Sequence, residues 1–227
     1  MDRSEVERVL SAIETHMADD RTVGLAGTGF WKVVSAAKKA PDLVAEFGDR
    51  IAAIDRRAFQ RWALLTVPLA PGTAMAVFGC AVGLVLVGLS YNTVDPLNGV
   101  LLLAGMGALL FATHGLGHLL VGRLAGIRFT HWFIGSVGRP QPGVKTDYAS
   151  YLAASPKQRA WMHASGAIVS KIIPFALIPA ALIAGVPRWS IVLLIVVGAV
   201  SIITDAIWST HFSDWKKFRR EMALASD

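Results

Sequence analysis

LLLAGMGALLFATHGLGHLLVGRLAG, residues 101–126, is an apolar run that carries two histidines, His114 and His118, four positions apart. A helix needs about 20 apolar residues to cross the hydrocarbon core of a bilayer, and this run is long enough. An ionisable side chain inside such a helix is costly and is a functional candidate by default. The reading of this one stretch sets both the fold class and the chemistry to be looked for.

The rest of the chain agrees with a membrane reading. Of its 227 residues 54% are hydrophobic and only 17% are charged, which is too apolar for an ordinary soluble domain. No charge interrupts Trp62 to Val94, and Trp189 to Thr204 is also uncharged. Four spans are expected, at about 70–91, 98–122, 165–186 and 189–210. The fold class is therefore an all-α, multi-pass membrane protein. Its expected division is a cytoplasmic helical region over 1–61 and a membrane domain over 62–227.

The net charge of +6 lies entirely in the second of these regions, because residues 1–61 hold ten basic and ten acidic side chains. Arg123, Arg128, Arg139, Lys145, Lys157 and Arg159 fall in the connection 123–163, and Lys216, Lys217, Arg219 and Arg220 in the tail. By the positive-inside rule both termini and that connection face the cytoplasm of the cell membrane. The basic balance then reads as topology and contact with anionic lipid; no nucleic-acid-binding module accompanies it. Trp62, Trp132, Trp161, Trp189, Trp208 and Trp215 fall near span boundaries, as an aromatic belt requires. The lone Cys80 excludes an internal disulfide. The charged start, MDRSEVERVL, lacks the apolar core of a cleavable signal peptide.

Before the first span, residues 4–18 read as an amphipathic helix, with Ser4 and Glu7 placed as a capping box. GLAGTGF, 24–30, reads as a turn, since no strand precedes it and no Lys-Ser/Thr pair ends it. Pro41 and Asp42 open a helix whose stripe is Leu43, Phe47, Ile51, Ile54 and Phe59. Gly and Pro punctuation over 128–160 predicts a small irregular or β element, a hairpin or a re-entrant loop, at the cytoplasmic face. Pro174 and Pro179 predict a kinked third span.

Four ionisable residues fall inside the expected spans: His114, His118, Lys171 and Asp205. Histidines at i and i+4 stand about 40° apart on one helix face, so both reach one metal ion. His118 lies about 7 Å along the axis from Arg123, and Asp205 about 6–9 Å from the polar Ser209–Thr210–His211. Depth alone thus puts Asp205 level with the histidines as a third ligand. Two imidazoles and a carboxylate leave a fourth corner open, as in catalytic zinc sites. Two other readings of the pair stand beside this one: histidines hydrogen-bonded to neighbouring helices, and an axial ligand to a haem or chlorophyll, with Gly115 and Gly117 making room for the ring. Gly115, Gly122 and Gly126 also suit close helix packing. A bare carboxylate in a span is costly, so Asp205 is expected to be paired, and Lys171 is a candidate partner by type; Lys171 is nonetheless expected to snorkel to the interface, and His211 to lie at the surface.

HGLGHLLVGRLAGIRF, 114–129, resembles the metal-binding helix of the site-2 protease (M50) family of intramembrane zinc proteases, whose motif is His-Glu-x-x-His. The resemblance covers about residues 98–220 and implies zinc held by His114 and His118. TDAIWSTHFSDWKKF, 204–218, is similar to the segment that brings the third ligand, matched by Asp205. AASPKQRAWMHASGAIVSK, 153–171, is similar to the entry of the family's middle core span. The departures are specific. The family's glutamate, which activates the zinc-bound water, falls on Gly115. No glutamate lies between Glu46 and Glu221, and neither nearby carboxylate, Asp147 or Asp214, is tied to the metal helix by the sequence. The Gly-Pro-x-x-Asn turn keeps only Gly166, and Asn-Pro-x-x-Asp-Gly only Asp205. General-base loss typically costs 10²–10⁴-fold in rate.

The resemblance therefore implies a degenerate member with no catalytic residue at the base position: a pseudoprotease that keeps its metal ligands and binds other membrane proteins or transmembrane segments without efficient cleavage. Two alternatives remain open from sequence. One is an accessory subunit of a larger membrane complex, in contact with haem or chlorophyll. The other is an active zinc protease with a substitute base.

Overall fold

A computed structural model describes residues 1–18, 24–138, 140–207 and 213–226. The expectations for Arg139, Trp208 and His211, and for the end of the fourth span, lie outside the described residues. In chain order the elements are α1 (Arg3–His16), α2 (Phe30–Ala37), α3 (Pro41–Trp62), β1 (Leu65–Pro68), α4 (Leu69–Ser90) and α5 (Leu97–Leu124). There follow β2 (Phe129–Ile134), β3 (Pro142–Thr146), α6 (Tyr148–Ala153), α7 (Pro156–Ala176), α8 (Ile178–Ile183), α9 (Arg188–Ile207) and α10 (Asp214–Ala223). The chain is mostly helical and forms two compact units.

The first unit gathers Met1–Leu69, Gly122–Arg159 and Glu221–Asp227, so the N-terminal helices share it with segments from the second half of the chain. Val6, Leu10, Ile13 and Met17 of the first helical segment are buried, as are Leu43, Phe47, Ile51, Ile54 and Phe59 of α3. The periodicity in the sequence therefore identified the packing faces. The cap differs. Asp2, not Ser4, accepts the Glu5 N–H at 2.8 Å, and the Ser4 hydroxyl donates to the same carboxylate. In GLAGTGF, Gly27 and Gly29 have φ of 76° and 88°, a left-handed turn that suits glycine.

The expected hairpin is present: β2 and β3 pair antiparallel, with Trp132 opposite Val144. A third strand was not expected. β1 pairs antiparallel with β2, Leu65 opposite Ile134, so the all-α expectation is corrected to helices plus a small sheet. Four residues at the head of an uncharged run give too short an alternation to separate from the approach to a span. Gly143 lies under the Phe133 ring, where an added Cβ would fall 2.7 Å from the ring edge.

Buried charges fix this unit. Glu221 is fully buried and pairs with Lys38 and with the Arg159 Nε at 2.7 Å, while the Tyr151 hydroxyl donates to it at 3.1 Å. Arg159 also donates to the carbonyls of Leu152 and Ala154. Burial raises the Glu221 carboxyl, but the charges of Lys38 and Arg159 win, and it is held below the usual carboxylate range. Asp55 pairs with Lys145 between α3 and β3, and here burial wins and pushes the carboxyl up.

The second unit is Ala70–Val121 with Ala160–Arg220. Among the described residues four helical stretches are long and apolar enough to cross a membrane: Leu69–Ser90, Leu97–Leu124, Pro156–Ile183 and Arg188–Asp205. The third is broken at Leu177, between α7 and α8, downstream of Pro174, in line with the expected kink. Leu102, Leu109 and Leu194 pack in its core, while Phe78, Leu84, Phe111 and Ile183 point outward. An outward apolar surface of this kind suits a lipid environment. Helices α4 and α5 meet at Gly83 and Gly105, where a Cβ on either would press into the partner's backbone.

A depressed carboxyl stabilises the fold above its unfolded value, and that contribution is lost as pH falls through the folded one. Glu221→Ala would also strand two buried cations, a loss of about 3–5 kcal/mol. A clear drop in the unfolding midpoint in detergent at neutral pH is expected, shrinking as the comparison is moved into acid.

Candidate metal centre

Helix α5 presents His114 and His118 one turn apart, and both rings are oriented by bonds to α7. The His118 Nδ1 lies 2.7 Å from the Met162 carbonyl oxygen. A carbonyl only accepts, so this nitrogen carries the proton. The His114 Nδ1 lies 3.0 Å from the Ser170 hydroxyl, which itself donates to the Gly166 carbonyl at 3.0 Å. With its own hydrogen engaged there, Ser170 accepts from Nδ1–H of His114. Neutral imidazoles bound in this way present a bare lone pair on each Nε2.

Those lone pairs converge. The two Nε2 atoms are 3.3 Å apart, and Asp214 Oδ2 lies 3.3 Å from that of His114 and 3.2 Å from that of His118. Three acceptors at such distances repel unless a cation stands among them. A tetrahedral ion with ligands at about 2.0–2.1 Å has ligand–ligand edges of about 3.3 Å, so the spacing fits a metal. His114, His118 and Asp214 could hold a metal ion. The donor set, two imidazole nitrogens and a carboxylate oxygen, suits zinc-type ions.

The surroundings favour one geometry. The Lys217 ammonium binds the other carboxylate oxygen, Asp214 Oδ1, at 3.0 Å. This holds Oδ2 toward the histidines as a single-oxygen ligand. Burial alone would raise the Asp214 carboxyl, and the Lys217 charge beside it acts in the opposite direction. Glycines let the helices approach. A Cβ on Gly117 would fall 3.2 Å from the Ser165 carbonyl oxygen, and one on Gly166 would strike the His118 Nε2 and the His114 carbonyl oxygen. The His118 and Asp214 side chains are 13% and 18% exposed, against 40% for His114, so the open side of the group is at His114.

The third partner is not the one expected. Asp205 pairs with Lys171, whose ammonium also donates to the Ala167 carbonyl. Of the two expectations for Lys171, the pairing with Asp205 is the one found, in place of snorkelling alone. Depth along a helix says nothing of rotation about its axis. Ser170 and Lys171 are adjacent, about 100° apart on α7, and bond to α5 and α9 respectively. Asp214, which the sequence left untied to the metal helix, contacts both histidines. Its signal was available: an acidic residue at the first position of an amphipathic segment, where helix starts favour it. Ser170 and the Met162 carbonyl had no sequence signal. Gly115 is buried on α5 and brings no side chain to the group. Asp147 serves elsewhere, capping α6 through the Ser150 N–H. Among the described residues no further carboxylate joins the three ligands.

Comparison with family models, curated proteins and solved structures finds no match to this chain.

Asp214→Asn should weaken zinc binding by more than about 100-fold, since outer partners alone are worth about 10–100-fold. Ser170→Ala should fall within that outer range, and Asp205→Asn should change affinity little. Competition with a chelating dye on the folded, detergent-purified variants reads all three. Loss of binding in Asp205→Asn with none in Asp214→Asn would reverse the assignment.

Proposed function

We propose that this chain is a zinc-binding integral membrane protein on the plan of the site-2 proteases, with His114, His118 and Asp214 as ligands. The observation that carries the reading is the convergence of three ligand atoms at 3.2–3.3 Å, each histidine being oriented through its far nitrogen. Both Nε2 atoms point to one carboxylate, which suits a small ion better than the face of a macrocycle. The topology that goes with this reading has both termini in the cytoplasm of the cell membrane, from the distribution of Lys and Arg.

Zinc would supply a Lewis acid and lower the pKa of a bound water toward about 7. The chain's own residues supply the ligands and an open side at His114. Among the described residues no further carboxylate joins them to take the water's proton, and Gly115 stands at the position of the base. Loss of a general base costs about 10²–10⁴-fold. The reading is therefore a pseudoprotease that engages membrane partners or transmembrane segments without efficient cleavage.

The test is a zinc-loaded preparation mixed with a model transmembrane substrate, wild type beside Gly115→Glu. The wild type should leave the substrate intact, and the variant should gain measurable cleavage. Efficient cleavage by the wild type would make it an active protease with a substitute base. A metal-free wild type that co-purifies with other membrane proteins and absorbs in the visible would favour the accessory-subunit reading.

A further inference from the structure

Helix α10 has three sides. At 100° per residue, Asp214 and Lys217 share one side, Trp215 and Phe218 a second, and Lys216, Arg219 and Arg220 a third arc of about 100°. The first side belongs to the metal group. The second is packed: Trp215 and Phe218 stack with centroids 5.0 Å apart, and Trp161 of α7 meets Phe218 edge-on at 5.6 Å. The third is open, with Arg219 and Arg220 exposed and Lys216 half-buried.

The charge on this open side is uncompensated. The second unit has six Lys and Arg, and four of them fall within residues 216–220. Lys171 is neutralised by Asp205 and Lys217 by Asp214. Lys216, Arg219 and Arg220 form no ion pair with a described residue. Clustered cations beside tryptophans at the end of an apolar helix meet the requirement for an anionic bilayer surface, where each Lys or Arg is attracted and the aromatic rings sit at headgroup level.

We infer that Lys216, Arg219 and Arg220 form a docking face for anionic phospholipid headgroups, and that their occupancy tightens metal binding by holding α10 where Asp214 reaches the histidine pair. The inference rests on the metal reading above and adds its regulation. The linkage is specific because the three cations share one arc only while the segment is helical. The packing of Phe218 on Trp161 then fixes which way that arc faces. Lipid that binds this arrangement better than a displaced tail shifts the population toward it, and by reciprocity zinc strengthens lipid binding.

The test uses the full chain reconstituted in phosphatidylcholine bilayers, and in bilayers with a third of the lipid replaced by phosphatidylglycerol, with zinc affinity read by chelator competition. Zinc should bind at least about fivefold tighter in the anionic bilayer, the worth of one basic residue at such a surface. Lys216→Gln/Arg219→Gln/Arg220→Gln should abolish the difference while matching wild type in phosphatidylcholine. Equal zinc affinity in the two bilayers overturns the lipid inference and leaves the metal site standing. Absence of zinc in both overturns the metal reading and the inference with it. Glycerol phosphate in detergent producing the same tightening overturns the bilayer as the source. If the triple variant fails to fold, the two-lipid comparison on wild type still decides.

Discussion

Three electron pairs meeting at one point are the constraint around which the apolar helices of the second unit are arranged. Each histidine spends its Nδ1 proton on α7, one on the Met162 carbonyl and one on the Ser170 hydroxyl. That leaves both Nε2 atoms bare and turned toward the Asp214 carboxylate. In a low-dielectric setting such a cluster is unfavourable without a positive charge at its centre. A proton on one imidazole would relieve it in part; a divalent ion satisfies all three acceptors at the distances found. The bonds to α7 do for the rings what outer partners do in known metal sites: they set the tautomer and the angle of approach.

Several local features of the sequence make sense only beside that cluster. Gly166 has no side chain because one would occupy the position of the His118 ring. Gly117 lets α5 lie against the backbone of α7, so that the carbonyl of Met162 and the hydroxyl of Ser170 come within reach. Lys217, one turn beyond Asp214, holds the carboxylate oxygen that faces away from the histidines. The group could hold a metal ion; it is open on the His114 side, and Gly115 brings no side chain to it. On the proposed reading, such a site would hold a metal and a partner without efficient turnover.

The sequence made much of this legible, and the failures have a common cause. Apolar run length found the four long helices, and period found the packed faces of α1 and α3, because burial imposes those patterns directly. The i, i+4 histidines were legible for the same reason, since one helix fixes their relation. Whatever depended on rotation between helices was not. Asp205 pairs with Lys171, and Asp214 reaches the histidines from a separate helix. Strand β1 escaped because four residues at the head of an apolar run carry too little pattern, and its pairing with β2 spans more than sixty positions of chain. Ser170 and the Met162 carbonyl could not be foreseen at all, a hydroxyl among many and a backbone atom with no residue signature.

The most direct test of the account is X-ray absorption at the zinc edge on the purified, zinc-supplemented chain, with metal content measured on the same sample. The account predicts about one zinc per chain, bound by nitrogen and oxygen at about 2.0–2.1 Å, with the multiple scattering of two imidazoles and no sulfur. A chain that takes up no zinc, or whose zinc shows sulfur at about 2.3 Å or a single imidazole, would contradict it.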